Sequence, residues 1–200
     1  MIMIKYALPV LAYLLGSVPF GAAFFRFRHD MDIRALGSGN IGATNVMRNA
    51  GPAMGLITLG ADMAKGWVLI FVARHMGAGD LIVALTGLAA FLGHIYPVWT
   101  DFKGGGKGVA TAGGCLAAWT PLGFLWVLLV FIAGLFVTGR VSVGSLCAAL
   151  VLPVVAFAFT GMVPVGIVAT AMTIMIFRRH SANVARIKEG TEPRVFGGII

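Results

Sequence analysis

The sequence is poor in charge, above all in acidic charge, and it has few cysteines. Only 11% of its 200 residues are charged, and 7 Asp and Glu stand against 15 Lys and Arg. A soluble domain averages roughly 25% charged residues, so an ordinary water-soluble fold is excluded. Cys115 and Cys147 are isolated in apolar runs, which indicates neither a disulfide framework nor a zinc site. A nucleic-acid-binding domain would be basic without being this apolar, so nucleic acid is not expected as a partner.

Apolar residues are what the chain has in abundance. They make up 59% of it, and the mean hydropathy is +0.95. We therefore expect an all-α polytopic membrane protein that forms a single domain over residues 1–200. A helix needs about 20 residues to cross the hydrocarbon, and seven stretches reach or approach that length, the fourth being the shortest. The predicted spans are residues 4–25, 54–74, 80–98, 108–119, 121–138, 142–159 and 161–177.

The basic residues indicate an orientation, because cytoplasmic loops carry the excess of Lys and Arg. With the N-terminus outside, only Lys5, Lys65 and Arg74 of the 15 basic residues fall elsewhere, which leaves twelve on the cytoplasmic side. The C-terminus is then cytoplasmic. The long, glycine-rich connections lie on the same side, so chemistry is expected at the cytoplasmic face.

The first of three cytoplasmic segments, residues 37–48, is rich in glycine and in hydrogen-bond donors that can surround an anion. The side-chain donors are Ser38, Asn40, Thr44, Asn45 and Arg48. Its glycine spacing matches the dinucleotide fingerprint, but no βαβ pattern surrounds it, which excludes a Rossmann site. The alternative is an inter-helix loop in which Thr44 or Asn45 caps the next helix.

The second segment, residues 93–111, places His94 before glycines that frame Lys103 and Lys107. Backbone amides and an ammonium can converge on one phosphate there, as they do in a P-loop. It is not a Walker A motif, because Gly108 follows Lys107 where that motif has Ser or Thr. For His94 the plainer alternative is an interfacial histidine.

The third segment, residues 180–194, is basic and follows the last predicted span. If it is helical, His180, Asn183 and Lys188 lie near one face. The alternative is a juxtamembrane tail that binds anionic lipid, at ~1 kcal/mol per charge.

Two pairs of titratable residues lie outside these segments. Asp62 and Lys65 are three residues apart in a predicted span, where charge is costly, so we expect them to pair or to face the bundle interior. His75 and Asp80 match a His-x4-Asp pattern in which the acid orients a general base. They lie in a predicted outer loop, so no chemistry is expected from them.

Together the three segments resemble the bacterial acyl-phosphate:glycerol-3-phosphate acyltransferases, the PlsY family. The matching motifs are Gly-Ser-Gly-Asn-x-Gly-Ala-Thr-Asn-Val-x-Arg from residue 37, Gly-His-x-x-Pro from residue 93, Phe-Lys-Gly-Gly-Gly-Lys-Gly-Val-Ala-Thr from residue 102, and His-x-x-Asn-Val-x-Arg-x-x-x-Gly-x-Glu from residue 180. The resemblance covers nearly the whole chain, including Asp-x-x-Lys-Gly at residues 62–66. Leu36, Ile41 and Val184 depart from the family pattern, and one extra glycine lies between Lys103 and Lys107.

The resemblance implies an integral inner-membrane enzyme with seven helices and an active site at the cytoplasmic face. Such an enzyme transfers a fatty acyl group from acyl phosphate to the 1-hydroxyl of glycerol 3-phosphate. The products are lysophosphatidic acid and phosphate, in the first acylation of phospholipid synthesis. The implied partners are these two small-molecule substrates and membrane lipid, with no cofactor and no metal. Either His180 or a substrate phosphate would accept the hydroxyl proton.

Site residues are carried over by the same resemblance. Those expected to act in catalysis are Ser38, Arg48, Lys107, Ser142, His180 and Asn183. Those expected to bind the substrates or their phosphates are Gly39, Asn40, Gly42, Thr44, Asn45, His94, Lys103, Gly104, Gly105, Gly106, Gly108, Arg186 and Glu189. Cys115 and Cys147 have no basic neighbour in their apolar spans, so no covalent acyl-enzyme is expected.

Two other classes of protein fit parts of the pattern. A transporter of anions or phosphate esters would use similar loops and helices, but it should carry midplane charges and an internal repeat, and no repeat is found. A basic lipid-binding scaffold would bind anionic vesicles without turnover.

Overall fold

The computed structural model describes residues 4–196, and within that range the regular structure is helical, without strands. The helices are α1 (Ile4–Gly16), α2 (Phe20–His29), α3 (Ala43–His75), α4 (Asp80–Ile95), α5 (Val109–Trp119), α6 (Pro121–Thr138), α7 (Val141–Thr160), α8 (Val163–Arg179) and α9 (Ser181–Lys188). Two short 3-10 turns, Ile33–Ala35 and Val98–Thr100, lie in the connections. The all-α prediction is confirmed for this part of the chain.

Within residues 4–196, five helical segments are long and apolar enough to cross a membrane. They are Ile4–His29, Ala43–His75, Asp80–Thr100, Pro121–Thr138 and Val141–Thr160. The other two predicted spans correspond to α5, with 11 residues, and α8, with 17. At about 1.5 Å per residue, α5 is roughly half as long as the hydrocarbon is thick. Seven crossings and the orientation of the termini stay predictions.

The first predicted span is not one helix, and in this respect the prediction was wrong. Helix α1 ends at Gly16, and α2 begins at Phe20, with Pro19 at its N-cap position. A residue before proline is disfavoured in the α conformation, which explains why the helix stops there. The hydroxyl of Ser17 donates to the Tyr13 carbonyl at 2.8 Å, so the end of α1 stays hydrogen-bonded.

The second predicted span begins earlier than expected. Helix α3 starts at Ala43 rather than near residue 54, and it continues through a kink at Gly51, where φ is +85°. Pro52 comes directly after the kink, where the helix starts again. Proline is tolerated there because it fits a first helical turn better than a helix interior. Thr44 and Asn45 therefore lie inside the first turn of α3, and neither caps it; the N-cap residue is Gly42.

Residues up to Trp119 and residues from Thr120 form two compact groups, described separately here, and the single-domain expectation stays a prediction. In the first group α1 packs on α4 and α3 packs on α5. Glycines allow the backbones of α3 and α5 to touch, since a Cβ on Gly66 would collide with the Thr111 carbonyl and one on Gly114 with the Met63 carbonyl. Close crossing at small residues is the usual way for helices to associate in lipid.

Arg74 caps the C-terminal end of the short helix α5. Its guanidinium donates to the carbonyl oxygens of Ala118, at 2.7 Å, and of Trp119. These carbonyls lie in the last turn, where no helical N–H follows to satisfy them. One of the three basic residues outside the predicted cytoplasmic loops therefore has a structural role.

In the second group, α6 packs on α7 and α7 packs on α8. Thr120 caps α6 through a hydrogen bond from the Gly123 N–H to its hydroxyl, at 3.2 Å. Gly139 and Gly161 end α6 and α7 in the left-handed conformation, with φ near +68° and +67°. Only Gly123 and Val127 of α6 are buried within the structure and half of its residues are exposed, as expected of an apolar helix in lipid.

Alanine at Gly114 tests the α3–α5 crossing. We expect Gly114→Ala to destabilise the protein by about 1–3 kcal/mol, because the added methyl meets the backbone carbonyl of Met63, which cannot rotate away. Gly60→Ala is the control: Gly60 lies in α3, is exposed and has nothing within 4 Å of a built Cβ. Thermal unfolding in detergent measures the difference, and equal behaviour of the two variants would contradict the close crossing.

Candidate active site

The loop before α3 is held from within by one buried amide. Asn45, 3% exposed, donates through Nδ2 to the carbonyl oxygens of Leu36, at 3.0 Å, and Asn40, at 2.9 Å. Its Oδ1 accepts a hydrogen bond from the Ser38 N–H at 3.0 Å. Asn45 was predicted to bind substrate. That role stays a prediction, and in the structure its donors and its acceptor are engaged in shaping the loop.

The same loop presents its glycine-rich turn to the outside. Gly37 and Gly39 have positive φ angles of 56° and 69°, and Ser38 and Gly39 are exposed. Asn40 is half-buried, and its Oδ1 accepts from the Gly42 N–H at 2.8 Å. Beneath the loop lies a small apolar core made of Ala22, Phe25, Ile33, Ile41 and Val46. The predicted residues Thr44, half-buried, and Arg48, exposed, follow in α3.

Arg34 connects this loop region to the second glycine segment, and sequence reasoning missed it. Its Nε donates to the Gly104 carbonyl at 3.4 Å, while its Nη1 forms an ion pair with Asp32 at 3.2 Å. The backbone N–H of Arg34 donates to Asp32 at 2.9 Å and is the main reason that the pKa of this carboxyl is lowered. The Asp-x-Arg pattern directly before the glycine run was the available signal.

Two glycines of the second segment are packed against the end of α4. The Gly106 N–H donates to the His94 carbonyl at 3.0 Å. A Cβ on Gly105 would collide with the Ile95 carbonyl, and one on Gly106 with the His94 imidazole. These two positions are buried, so their glycines are required by packing.

The remaining residues of that segment are more open. Gly104 is exposed with φ +64°, and it is the one member of the three-glycine run that does not pack on α4. Gly108 is buried with φ +85°, and a Cβ there would meet the Phe91 ring. Lys103 is exposed and Lys107 is half-buried. The loop thus combines a fixed inner side with two lysines at or near its surface.

Asp62 and Lys65 form the expected pair. The Lys65 Nζ lies 2.8 Å from the Asp62 Oδ1, and their side chains are 1% and 3% exposed, respectively. His94 is also buried, and its Nδ1 lies 3.6 Å from the same Asp62 oxygen. The expectation of a pair is confirmed, and the structure adds His94 to it.

In the second group, a buried acid organises the basic third segment. The Glu192 Oε1 accepts from Asn183 Nδ2 at 2.7 Å, and its Oε2 pairs with Arg186 Nε at 2.7 Å. Glu192 is 6% exposed, whereas Glu189, the acid predicted from the sequence, is exposed at the end of α9. The structure therefore places Glu192 rather than Glu189 in the side-chain network. The signal was present, because the last glutamate of the matching motif is Glu192.

The environment of Glu192 favours its charged form. Burial raises the pKa of this carboxyl, but hydrogen bonding from Asn183 and Ser142 and the charge of Arg186 outweigh it, so the pKa is lowered overall. Ser142 is itself buried, at 6% exposed. Ser142, Asn183 and Arg186 are thus gathered around one carboxylate.

His180 lies at the junction of α8 and α9. It is 3% exposed, and its Nδ1 lies 2.8 Å from the Ile176 carbonyl oxygen. A carbonyl can only accept, so Nδ1 carries a hydrogen and Nε2 is the nitrogen that gains or loses a proton. The third segment is helical from Ser181 to Lys188; Asn183 is buried, but Lys188 is exposed and does not share its surroundings.

The His75 and Asp80 pair stays apart from all of these residues in its contacts. His75 Nδ1 lies 2.9 Å from the Phe71 carbonyl, and its ring packs on the Phe71 ring at 3.9 Å between centroids. Asp80 is the first residue of α4. These contacts of His75 lie within the last turn of α3, and the expectation that no chemistry comes from the pair stays a prediction.

Replacing Glu192 by Gln tests the network around it and its pH dependence. Glu192→Gln removes the ion pair to Arg186, and we expect a loss of about 1–3 kcal/mol at neutral pH. A lowered pKa in the folded state means that the carboxylate stabilises the protein above its ordinary pKa of 4.5 and less as the pH falls through the lowered value. The stability gap between the wild type and Glu192→Gln should therefore narrow below pH 4.5 in thermal unfolding.

Glu189→Gln is the matched control, since Glu189 is an exposed acid three residues away. We expect no stability change from it at either pH. A gap that stays constant on acidification would show that the charge of Glu192 is not what stabilises the segment.

Comparison with other proteins gives a consistent result. Residues 6–190 match the family model described as glycerol-3-phosphate acyltransferase. The chain is 43% identical to the glycerol-3-phosphate acyltransferase of Geobacter sulfurreducens, over 94% of this chain and 95% of the other. It is 40% identical to the protein of that name from Geobacillus kaustophilus, over 93% of each chain.

Solved structures are similar as well. The crystal structure of PlsY, an integral membrane glycerol 3-phosphate acyltransferase, in its glycerol 3-phosphate form aligns with a TM-score of 0.88 and 38% identity over 96% of each chain. The lysophosphatidic acid form aligns with a TM-score of 0.87 and 36% identity, over 96% of this chain and 95% of the other. With the helices, glycine loops and buried polar groups described above, these matches show that the chain is an integral membrane protein of the glycerol-3-phosphate acyltransferase family, PlsY.

Proposed function

We propose that this protein transfers a fatty acyl group from acyl phosphate to the 1-hydroxyl of glycerol 3-phosphate. The products are lysophosphatidic acid and inorganic phosphate. The observation that supports this most is the likeness, over nearly the whole chain, to PlsY structures described as glycerol 3-phosphate and lysophosphatidic acid forms. Those descriptions name glycerol 3-phosphate and lysophosphatidic acid, which are the acceptor and the product of this reaction. We add acyl phosphate as the donor.

Acyl phosphate as the donor is supported by the number of phosphate-type segments. The Ser38–Gly42 loop and the Gly104–Gly108 loop each combine exposed glycine backbone with nearby basic side chains. Together these loops can hold one phosphorylated head, and the third segment, with His180, Asn183 and Arg186, is available for the phosphate of a second substrate. A relay through cysteine is not part of the proposal, because Cys115 is fully buried and its thiol lies 3.6 Å from the Gly87 carbonyl, with no basic partner.

The reaction is a direct displacement. The 1-hydroxyl oxygen of glycerol 3-phosphate forms a bond to the acyl carbonyl carbon, and the bond between that carbon and the phosphate oxygen breaks. The leaving phosphate takes the electron pair, and the hydroxyl proton passes to a phosphate oxygen of a substrate. An acyl phosphate is an activated mixed anhydride, so positioning supplies much of the rate, and donors aimed at the developing oxyanion supply more.

Several candidate residues have a role in this proposal. Arg48 and Lys107 of the first group bind substrate phosphate, and so do Ser142, His180 and Asn183 of the second group. The amides of the Ser38–Gly42 and Gly104–Gly108 loops hold the acyl-phosphate head. Asn45 and Glu192 support these residues from the interior, since each side chain is buried and hydrogen-bonded to nearby residues of the protein.

The proposal places the enzyme in the bacterial inner membrane, with seven crossings and its polar loops in the cytoplasm. The apolar helices would bind the acyl chain as well as anchor the protein. The exposed apolar side chains of α6, such as Leu125, Trp126 and Leu129, suit a lipid environment. The basic excess of the long connections suits both anionic substrates.

A coupled assay with purified protein in detergent tests this function. We expect phosphate to be released from a long-chain acyl phosphate only when glycerol 3-phosphate is present, with an equal amount of lysophosphatidic acid formed. A transporter or a lipid-binding scaffold would give no turnover. Acyl label that stays on the protein without glycerol 3-phosphate would contradict direct transfer.

His180→Gln separates the two candidates for the proton acceptor. With a substrate phosphate as acceptor, His180 binds phosphate, and the variant should raise the KM for glycerol 3-phosphate by about tenfold or more while kcat changes little. A large fall in kcat with unchanged KM values would instead make His180 the general base. Steady-state kinetics with each substrate varied in turn decides between them.

A further inference from the structure

The ion pair of Asp62 and Lys65 has no part in the chemistry proposed above, yet it is among the most buried polar groups in the described structure. A buried pair gives little net stability, because desolvation offsets the attraction between the charges. An apolar pair of similar volume would serve as well for packing. The surroundings of the Asp62–Lys65 pair point to a use other than packing.

One side of the pair holds the break between α1 and α2. The Lys65 Nζ donates to the Val18 carbonyl at 3.1 Å, in the three-residue break between these helices. The same ammonium lies 5.8 Å from the centroid of the Phe20 ring, at the start of α2. A cation buried here satisfies a carbonyl that has left the helical pattern.

The other side of the pair faces the glycine loop through His94. The imidazole has Asp62 on its Nδ1 side, at 3.6 Å, and Gly106 on its Nε2 side, where an added Cβ would collide with it. The distance to Asp62 is longer than a hydrogen bond, so this contact is electrostatic. The ring therefore fills the space between a fixed charge and the backbone of Gly106, the residue before Lys107.

We propose that Asp62 and Lys65 are positioning residues for acyl-phosphate binding, because they fix the His94 imidazole against Gly106 and so set the path of residues 104–108. The inference rests on the function proposed above, in which that loop holds the acyl-phosphate head. The Gly106 N–H bond to the His94 carbonyl ties the loop to the same residue through its backbone. A shift of the ring would move the loop, and a displacement of 1 Å is enough to impair a phosphate site.

The test compares single and double neutral variants. Asp62→Asn and Lys65→Met each leave one buried charge without its partner, so both should lower the Tm by more than about 5 °C. The double variant Asp62→Asn/Lys65→Met removes both charges and should recover most of the Tm. If the pair positions the loop, the double variant still shows a KM for acyl phosphate raised by about tenfold or more, because the charge beside His94 is gone.

Two further variants complete the design. His94→Phe keeps an aromatic ring but removes both ring nitrogens, and it should raise the KM for acyl phosphate in the same way while the KM for glycerol 3-phosphate changes by less. Asp80→Asn is the control, an acid at the opposite end of α4, and should match the wild type. The readout is steady-state kinetics beside the Tm of each variant.

The outcomes separate the two proposals. If the wild type does not turn over acyl phosphate and glycerol 3-phosphate, the proposed function fails and the inference fails with it. If the wild type is active and the stable double variant has a wild-type KM for acyl phosphate, the pair is structural only and the inference alone is overturned. A wild-type KM in His94→Phe overturns it as well.

Discussion

An apolar chain can leave the α-helix only where another group satisfies the carbonyls and amides that the helix releases. A few polar side chains do this in the described structure. Lys65 bonds to the carbonyl of the α1–α2 break, Arg74 bonds to the last carbonyls of α5, and Asn45 bonds to three carbonyls before α3. In each of these three places the chain leaves the helix where such a side chain is available.

The same constraint explains why the polar loops keep a defined shape. The Asn45 side-chain amide hydrogen-bonds both to the Leu36 carbonyl and to the Ser38 N–H of the loop before α3. Arg34 contacts Asp32 and the Gly104 carbonyl. Glu192 does the corresponding work in the second group, with Asn183 and Arg186 on its two oxygens. Asn45 and Glu192 are buried and Arg34 is half-buried, whereas loop residues such as Ser38 and Gly104 are exposed. A site built this way presents exposed backbone on a rigid base, as binding of phosphate requires.

Much of this organisation could be predicted from the sequence, and the failures have physical causes. Hydropathy located six of the seven predicted spans close to helices, but it could not detect the α1–α2 break, because Ser17 and Val18 do not interrupt an apolar run. It also missed the first turns of α3. Residues 44–49 have mostly polar side chains, which are typical of a loop, although they form the part of the helix that precedes the kink at Gly51. The Asp62–Lys65 pair was predictable from its spacing. The third member, His94, was not, since it joins the pair through tertiary packing.

Glycine is the residue whose meaning depends most on the structure. In sequence, the run from Gly104 to Gly106 indicates a phosphate loop, yet Gly105 and Gly106 are required by contact with Ile95 and His94 whether or not an anion binds. Gly104 is different, because it is exposed and has a positive φ that side chains rarely adopt. Composition alone cannot separate a glycine needed for packing from one needed for an open backbone amide. The steric environment separates them: the buried Gly105 and Gly106 pack on α4, whereas Gly104 is exposed and has the Arg34 side chain against it.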